Sequence, residues 1–170
     1  MNVINEGVEP SHFQALLQNL LYLPLYQEQG IQPIRMQKGY VEFTISGSKT
    51  VHNAAGDIHG GVQLTCGDTA MGTAVRTLGI RTATIQLNSN FLFPCPVNAA
   101  ILCTGKIVES GKDFFFCQSE IRADGKVVST FDGVFANLGP ENIHPLPWVK
   151  VQTELVPISE KEGEDTCQQK

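Results

Sequence analysis

The fold is decided by the stretch GVQLTCGDTAMGTAVRTL, residues 61–78. Leu64, Met71 and Leu78 recur every seven residues within it, and Gly79 stands where a helix would end. This pattern predicts one helix with an apolar stripe over residues 61–78. Small residues are frequent along it, namely Gly67, Ala70, Gly72 and Ala74. Because small residues let neighbouring backbone approach closely, the stretch predicts a helix enclosed by strands.

The segments around this stretch alternate apolar and polar residues, as half-buried strands do. Strands are predicted over residues 40–46 before the helix and over 83–93, 100–108, 114–122 and 127–137 after it, with turns at 109–112 and at Asp124-Gly125. An Asp-Gly pair between alternating segments is a strong hairpin signal. Four successive strands after one long helix disfavour parallel βαβ units. The predicted fold class is therefore α+β, a single domain with an antiparallel sheet wrapped around a central helix.

An additional amphipathic helix is predicted ahead of the sheet, with Ser11 positioned to cap its start and Pro24 to end it. Its apolar face is formed by Phe13, Leu16, Leu17 and Leu20. We divide the chain into this N-terminal helix and lead-in (1–39), the sheet-and-helix domain (40–148) and a tail (149–170). The acidic tail has too few large apolar groups to offset its ordering entropy, so we expect it to be disordered.

Composition and charge exclude several classes of protein. The chain has 170 residues and a net charge of −5, with 12 basic and 17 acidic residues. Nucleic acid is excluded as the main partner because neutralising phosphates needs clustered Lys and Arg. No apolar run is long enough to span a bilayer, so we expect no membrane association. The 5 cysteines are widely spaced and form no CxxC pair, which indicates buried thiols in a cytoplasmic protein rather than disulfides or a metal site.

A candidate site for polarising a carbonyl lies where the central helix begins. Asn53 and then His59-Gly60-Gly61 lead into the helix. Paired glycines at a helix N-terminus leave backbone N–H groups unobstructed, and the helix dipole adds partial positive charge. Such a place can hold an oxyanion.

Asp68 is the second candidate, because it lies close to the apolar stripe and is expected to point towards the buried side. Burying a carboxylate costs several kcal/mol unless it is paired or changes its pKa. Each residue also has a simpler interpretation: His59 as a helix cap, Gly60-Gly61 as a tight turn, Asp68 as a polar core residue. Their combination with a small-residue helix and a following sheet favours a functional site.

These residues resemble a known family. His59-Gly60-Gly61 followed by Asp68-Thr69-Ala70-Met71-Gly72 is similar to the signature of hotdog-fold acyl-CoA thioesterases of the phenylacetic-acid-degradation type. The similarity extends from about Asn53 to Asn137 and includes residues 83–88 and the hairpin at 124–126.

The resemblance implies hydrolysis of an acyl-CoA thioester to a free acid and coenzyme A, with no cofactor besides the CoA of the substrate. It implies that Asp68 activates water or attacks directly, and that Thr84 helps to hold the water. It also implies that the Gly60 N–H and Asn53 polarise the carbonyl and that His59 contacts the carbonyl or the leaving sulfur. A carboxylate that accepts a proton and an N–H that stabilises an oxyanion fit these roles.

Two positions depart from the family pattern. Gln86 stands where many relatives carry an acidic residue, and Phe93 where many carry a basic one. The second change leaves the residues that anchor the CoA phosphates unassigned. Candidate replacements, each better explained as a surface charge, are Arg76, Arg81, Lys106, Lys112, Arg122 and Lys126.

The spacing within the helix predicts the assembly. The eight steps from Gly60 to Asp68 correspond to a rise of about 12 Å, whereas both groups must lie about 3 Å from one thioester carbon. Two antiparallel helices related by a two-fold axis would place Gly60 of one subunit opposite Asp68 of the other. We therefore predict that the smallest active unit is a homodimer with its active site at the subunit interface. The family's frequent assembly into homotetramers is consistent with this.

Two other functions remain open on the same fold. One is a non-catalytic acyl-CoA sensor, since a fold alone does not fix function. The other is an acyl-CoA hydratase or dehydratase, for which His59 and Asp68 would supply the acid–base pair.

Overall fold

The computed structural model describes residues 2–46 and 51–142. Its elements, in chain order, are β1 (Ile4–Glu6), α1 (Pro10–Tyr22), α2 (Pro24–Gln29), β2 (Ile31–Gln37), β3 (Tyr40–Ile45), α3 (Gly60–Arg76), β4 (Ile80–Phe91), β5 (Ile101–Ser110), β6 (Phe114–Ala123) and β7 (Lys126–Pro140). The predicted central helix and the five predicted strands are all present, with boundaries shifted by a few residues.

A seven-stranded sheet in the order β1-β2-β3-β5-β6-β7-β4 wraps around α3. The pairings from β2 to β4 are antiparallel as predicted, but β1 pairs with β2 in parallel, so the sheet is mixed. Neither β1 nor β2 was predicted, because β1 has 3 residues and β2 contains Pro33. The sheet accommodates this proline through a shift of register between Pro33 and Arg35.

The N-terminal helix forms, but the prediction that Ser11 caps it is wrong. Glu9 is the N-cap, and its carboxylate accepts hydrogen bonds from the backbone N–H groups of Ser11 and His12. Pro10 explains the difference, because it lacks an N–H and fits the first helical position, which places the cap at Glu9, two residues before Ser11. α1 ends before Pro24 as predicted, and Pro24 then begins the short helix α2.

The small residues of α3 allow the sheet to approach it closely. A Cβ atom at Gly67 would lie 2.6 Å from the ring of Phe131, and one at Gly105 of β5 would lie 2.4 Å from the backbone of Ala70. The predicted apolar stripe is only partly correct, since Met71 is fully buried whereas Leu78 is 40% exposed. The buried face is formed instead mainly by Val62, Cys66, Ala70, Met71, Ala74 and Val75, because a sheet this close leaves room mostly for small side chains.

The predicted turns occur where positive φ angles are needed. Gly79 has φ 76° just after α3, and its N–H donates to the Arg76 carbonyl over 2.9 Å. Asp124 and Gly125 both have positive φ and join β6 to β7, as a tight hairpin requires.

Cys66, Cys95, Cys103 and Cys117 are buried and free, as the sequence predicted. Cys167 and the predicted tail at 149–170 lie outside the described residues. Within the described ranges, no helix is both long and apolar enough to cross a membrane.

Candidate active site

Asp68 lies in the middle of α3 and is partly buried against the edge strand β4. The Thr84 hydroxyl, on β4, donates a hydrogen bond to Oδ1 of Asp68 over 2.8 Å. Burial raises the pKa of Asp68 above its ordinary value, and the Thr84 hydrogen bond opposes this in part. A carboxylate in this position is a stronger base than one in water, and Thr84 fixes its orientation.

His59 caps the N-terminus of α3, so the capping interpretation is confirmed. Its Nδ1 accepts the backbone N–H of Gly61 over 2.9 Å. Because an accepting ring nitrogen carries no proton, the proton of the neutral ring is on Nε2. The exposed His59 ring can therefore donate one further hydrogen bond from Nε2.

The first turn of α3 leaves one backbone donor free among the described residues. The N–H of Gly61 is held by His59, and the N–H groups of Val62 and Gln63 donate to the His59 carbonyl. The Gly60 N–H has no acceptor within the described ranges. Of the two glycines, Gly60 is therefore the one that can bind an oxyanion.

Asn53 is held in a fixed orientation by the loop that precedes α3. Its Oδ1 accepts the backbone N–H groups of Ala55 and Asp57 over 2.9 and 3.0 Å, and its own N–H donates to the Asp57 carbonyl. With Oδ1 committed to the loop, the side-chain Nδ2 is the group through which Asn53 can act as a donor.

Asn53 and Gly60 open onto one cavity of about 410 Å³. Phe91 and Phe93 also line it, and they are 50% and 48% exposed. A Cβ atom at Gly60 would lie 3.3 Å from the Phe91 ring. The absence of a side chain at Gly60 thus leaves its N–H open beside the aromatic wall.

The structure does not bring Asp68 into this cavity. Asp68 opens onto a separate cavity of about 120 Å³ that shares no lining residue with the first. α3 rises by about 12 Å between Gly60 and Asp68. Within one chain, the candidate residues therefore form two separate halves: Asp68 with Thr84, and Gly60 with Asn53 and His59.

One of the six candidate cations lies beside the first cavity. Nζ of Lys126 sits 3.4 Å from the centre of the Phe93 ring, as a cation–π contact. Arg76 and Arg122 are instead paired with Glu141 and Glu120. The sequence offered no signal that singled out Lys126, because the contact joins the start of β7 to the loop after β4.

The sequence missed the residues that enclose Asp68. Leu20 of α1 and Tyr26 of α2 line the Asp68 cavity. The helical pattern predicts burial of Leu20 but does not reveal what it packs against, and Tyr26 follows Pro24, where the predicted helix ends.

A larger cavity of about 490 Å³ is lined by the candidate cation Lys106 but by none of the candidate catalytic residues. Within residues 2–46 and 51–142, no group of three or more His, Cys, Asp or Glu side chains could hold a metal ion.

Residues 55–130 match a family model described as the thioesterase superfamily. A search of curated proteins gave no match.

Several solved structures are similar to this chain. The PaaI protein from the phenylacetic acid degradation operon of E. coli has a TM-score of 0.72 and 21% identity, covering 79% of this chain and 98% of that one. A hypothetical thioesterase of Streptococcus pneumoniae TIGR4, solved with coenzyme A, has a TM-score of 0.63 and 23% identity, covering 66% and 91%. A Streptococcus mutans UA159 protein bound to acetyl-CoA has a TM-score of 0.63 and 20% identity, covering 66% and 91%.

Two further structures of the pneumococcal protein carry single alanine substitutions, one of an aspartate and one of a threonine sixteen positions later. Together, the family match and the structural neighbours confirm the hotdog fold and the resemblance to hotdog thioesterases of the phenylacetic-acid-degradation type.

Proposed function

We propose that this hotdog-fold chain hydrolyses acyl-CoA thioesters to a carboxylic acid and coenzyme A, and that two copies build each active site. The observation that carries the proposal is the partly buried Asp68, whose pKa burial raises and whose Oδ1 is held by Thr84. The two residues are 16 positions apart, the spacing of the two substituted residues in the pneumococcal thioesterase.

Asp68 acts on the reacting carbon in this proposal. As a general base it takes a proton from water, whose oxygen attacks the thioester carbon; as a nucleophile it attacks that carbon itself, and water then cleaves the anhydride. In both versions the carbon–sulfur bond breaks, the sulfur leaves as the thiol of CoA after gaining a proton, and the acyl group leaves as the acid. The chemistry needs a carboxylate and oxyanion donors, and we assign it no cofactor besides CoA itself.

The oxyanion donors come from the other half of the site. The free Gly60 N–H, Nδ2 of Asn53 and Nε2 of His59 are the three available donors. The N-terminus of α3 adds partial positive charge at the same place. These groups would stabilise the negative charge that develops on the thioester oxygen.

The sheet edge supports joining the two halves across a two-fold axis. β4 is 12 residues long, largely exposed, and pairs only with β7 within the described ranges. A long exposed edge strand is a template for pairing with another chain. Antiparallel pairing of β4 with its copy about a two-fold axis at Asn88 sets Thr84 opposite the partner's Phe91, because the bulge between Thr84 and Gln86 displaces Thr84 by one position.

This pairing completes the site. Thr84 holds Asp68, and Phe91 lies against Gly60. The same operation therefore brings Asp68 near the partner's Gly60 and creates two equivalent sites per dimer. We propose the homodimer as the minimal active unit; further pairing into a homotetramer is compatible with it.

Lys126 is the residue we assign to the phosphates of CoA. The Phe93 ring holds its ammonium group beside the cavity that contains Gly60. A cation here replaces the basic residue that relatives carry at the Phe93 position. The four buried free thiols support a cytoplasmic location.

The direct test measures thiol release from acetyl-, butyryl-, octanoyl- and benzoyl-CoA, with Asp68→Asn as control. Release that depends on Asp68 supports the proposal. Binding of acyl-CoA without release by the wild type would support the sensor, and modification of the acyl chain with the thioester intact would support the hydratase.

A further inference from the structure

We propose that the N-terminal helices form the acyl pocket and limit the substrate to short-chain or single-ring uncharged acyl groups. The inference rests on the proposed function, because it takes Asp68 as the residue at the reacting carbon. It concerns the cavity of about 120 Å³ beside Asp68.

The cavity begins at Asp68 and follows one face of α3. Asp68, Gly72 and Arg76 all line it, and their spacing of four residues places them on the same side of a helix. Gly72 has no side chain, so the space one turn beyond the carboxylate is open. A Cβ atom there would come to 3.4 Å from the ring of Phe135.

The walls come from two separate parts of the chain. The β4 residues Thr82, Ala83 and Thr84 form one side. Leu20 of α1 and Tyr26 of α2 form another, and Leu20 is fixed because it is only 2% exposed. The N-terminal helices thus enclose a groove that would otherwise open to solvent.

Arg76, which lines the cavity two helical turns from Asp68, is held in an ion pair. Nε of Arg76 donates to Oε2 of Glu141 over 2.9 Å, and the Glu141 side chain is 7% exposed. Because this guanidinium is already neutralised, it offers no free charge to a carboxylate at the end of an acyl chain. The occupant is therefore an uncharged group.

The volume limits how long that group can be. A cavity of roughly 150 Å³ can hold one benzene ring, and this cavity, which is lined by both polar and apolar residues, is slightly smaller. A chain of a few carbons, or one ring that displaces Tyr26 slightly, fills it. Longer chains require Tyr26 to move.

Two substitutions test the pocket in opposite directions. Gly72→Ala adds a methyl group inside it and, as a glycine replaced within a helix, leaves the fold stable. Tyr26→Ala removes part of its wall. Leu25→Ala is the control, because Leu25 is on the same short helix but is 50% exposed and does not line the cavity.

Each variant is measured in two ways. The first is kcat/KM for thiol release from acyl-CoAs of two to twelve carbons and from benzoyl-CoA. The second is calorimetric binding of S-alkyl-CoA thioethers of the same lengths, which cannot be hydrolysed. We expect Gly72→Ala to lower kcat/KM and affinity for butyryl and benzoyl groups about tenfold or more, and Tyr26→Ala to raise both for octanoyl by a similar factor. Leu25→Ala should match the wild type.

The two readouts separate this inference from the proposed function. If the variants change the chain-length preference of thioether binding but no protein releases thiol, the pocket is supported and hydrolysis is overturned. Thiol release whose length preference is unchanged by Gly72→Ala overturns the pocket and leaves hydrolysis intact. Failure of the wild type to bind any thioether overturns the pocket as well.

Discussion

The hydroxyl of Thr84 donates to the carboxylate of Asp68 across 2.8 Å, which ties the middle of α3 to the edge strand of the sheet. Asp68 is consequently held at the boundary where a second copy of the chain would pair. The free Gly60 N–H lies near the opposite end of the same strand, beside Phe91. The edge strand therefore carries one half of the proposed site near each end.

Asp68→Asn should abolish thiol release while stabilising the fold. Asparagine keeps an oxygen for the Thr84 hydroxyl but cannot accept the proton of water. Burial makes the pKa of Asp68 higher in the folded protein than in the unfolded chain, where it is about 3.9. Ionisation of Asp68 therefore lowers the free energy of unfolding as the pH rises from the pKa of the unfolded chain to the pKa of the folded protein. Thermal unfolding should give a higher Tm for the variant at neutral pH and no difference below about pH 3. A lower Tm at neutral pH would contradict this.

Thr84→Val should move the acid limb of the pH–rate profile to higher pH. The Thr84 hydrogen bond lowers the pKa of Asp68 against the effect of burial, so removing it leaves the carboxylate protonated over a wider range. kcat/KM measured from pH 4 to 9 checks the shift. Thr84→Ser, which keeps the hydroxyl, should retain the wild-type profile; a shift in both variants would indicate a packing effect.

Mixed dimers should recover activity that neither parent has. One parent carries Asp68→Ala and the other His59→Ala with Asn53→Ala. After random exchange of subunits, about a quarter of all sites combine an intact Asp68 with an intact N-terminus of α3 from the partner. Thiol release near that fraction of the wild-type rate supports the shared site, whereas full activity in an isolated monomer would rule it out.

Lys126→Ala should weaken binding of CoA without affecting chemistry. Loss of one ionic contact to phosphate raises KM about tenfold, with kcat nearly unchanged. The KM for an acyl-pantetheine substrate, which lacks the phosphates, should not change. Lys112→Ala, which removes an exposed lysine in the turn between β5 and β6, serves as the matched control, whereas Lys126 lies over the Phe93 ring that lines the cavity. Equal effects of the two variants would point to general electrostatic attraction.

Gly105→Ala should destabilise the domain. The added Cβ would lie 2.4 Å from the Ala70 carbonyl carbon and 2.5 Å from its oxygen, so the sheet and α3 must separate. Overpacking of this kind costs roughly 1–3 kcal/mol. Urea unfolding checks it, with Gly111→Ala as control because a Cβ there meets one atom at 3.4 Å. Equal midpoints for the two variants would show that α3 does not pack tightly on β5.

Local patterns predicted much of the fold. Alternation identified β3 to β7, and the run of small residues identified the helix that they enclose. The same local reasoning failed at β2, because Pro33 disfavours a strand unless a neighbouring strand shifts its register. It also placed Leu78 in the buried stripe, because a repeat of seven does not show how closely a sheet will approach.

The sequence by itself determined the chemistry available to this protein: a carboxylate at Asp68, a helix that opens with two glycines, and an Asp-Gly hairpin. These depend on residue type and short-range geometry, which neighbours along the chain fix. Only the tertiary structure decided that Thr84 orients Asp68, that Lys126 lies over Phe93, and that Leu20 and Tyr26 enclose the carboxylate. Each of those contacts joins segments far apart in sequence, and their meeting depends on how the whole sheet wraps around α3.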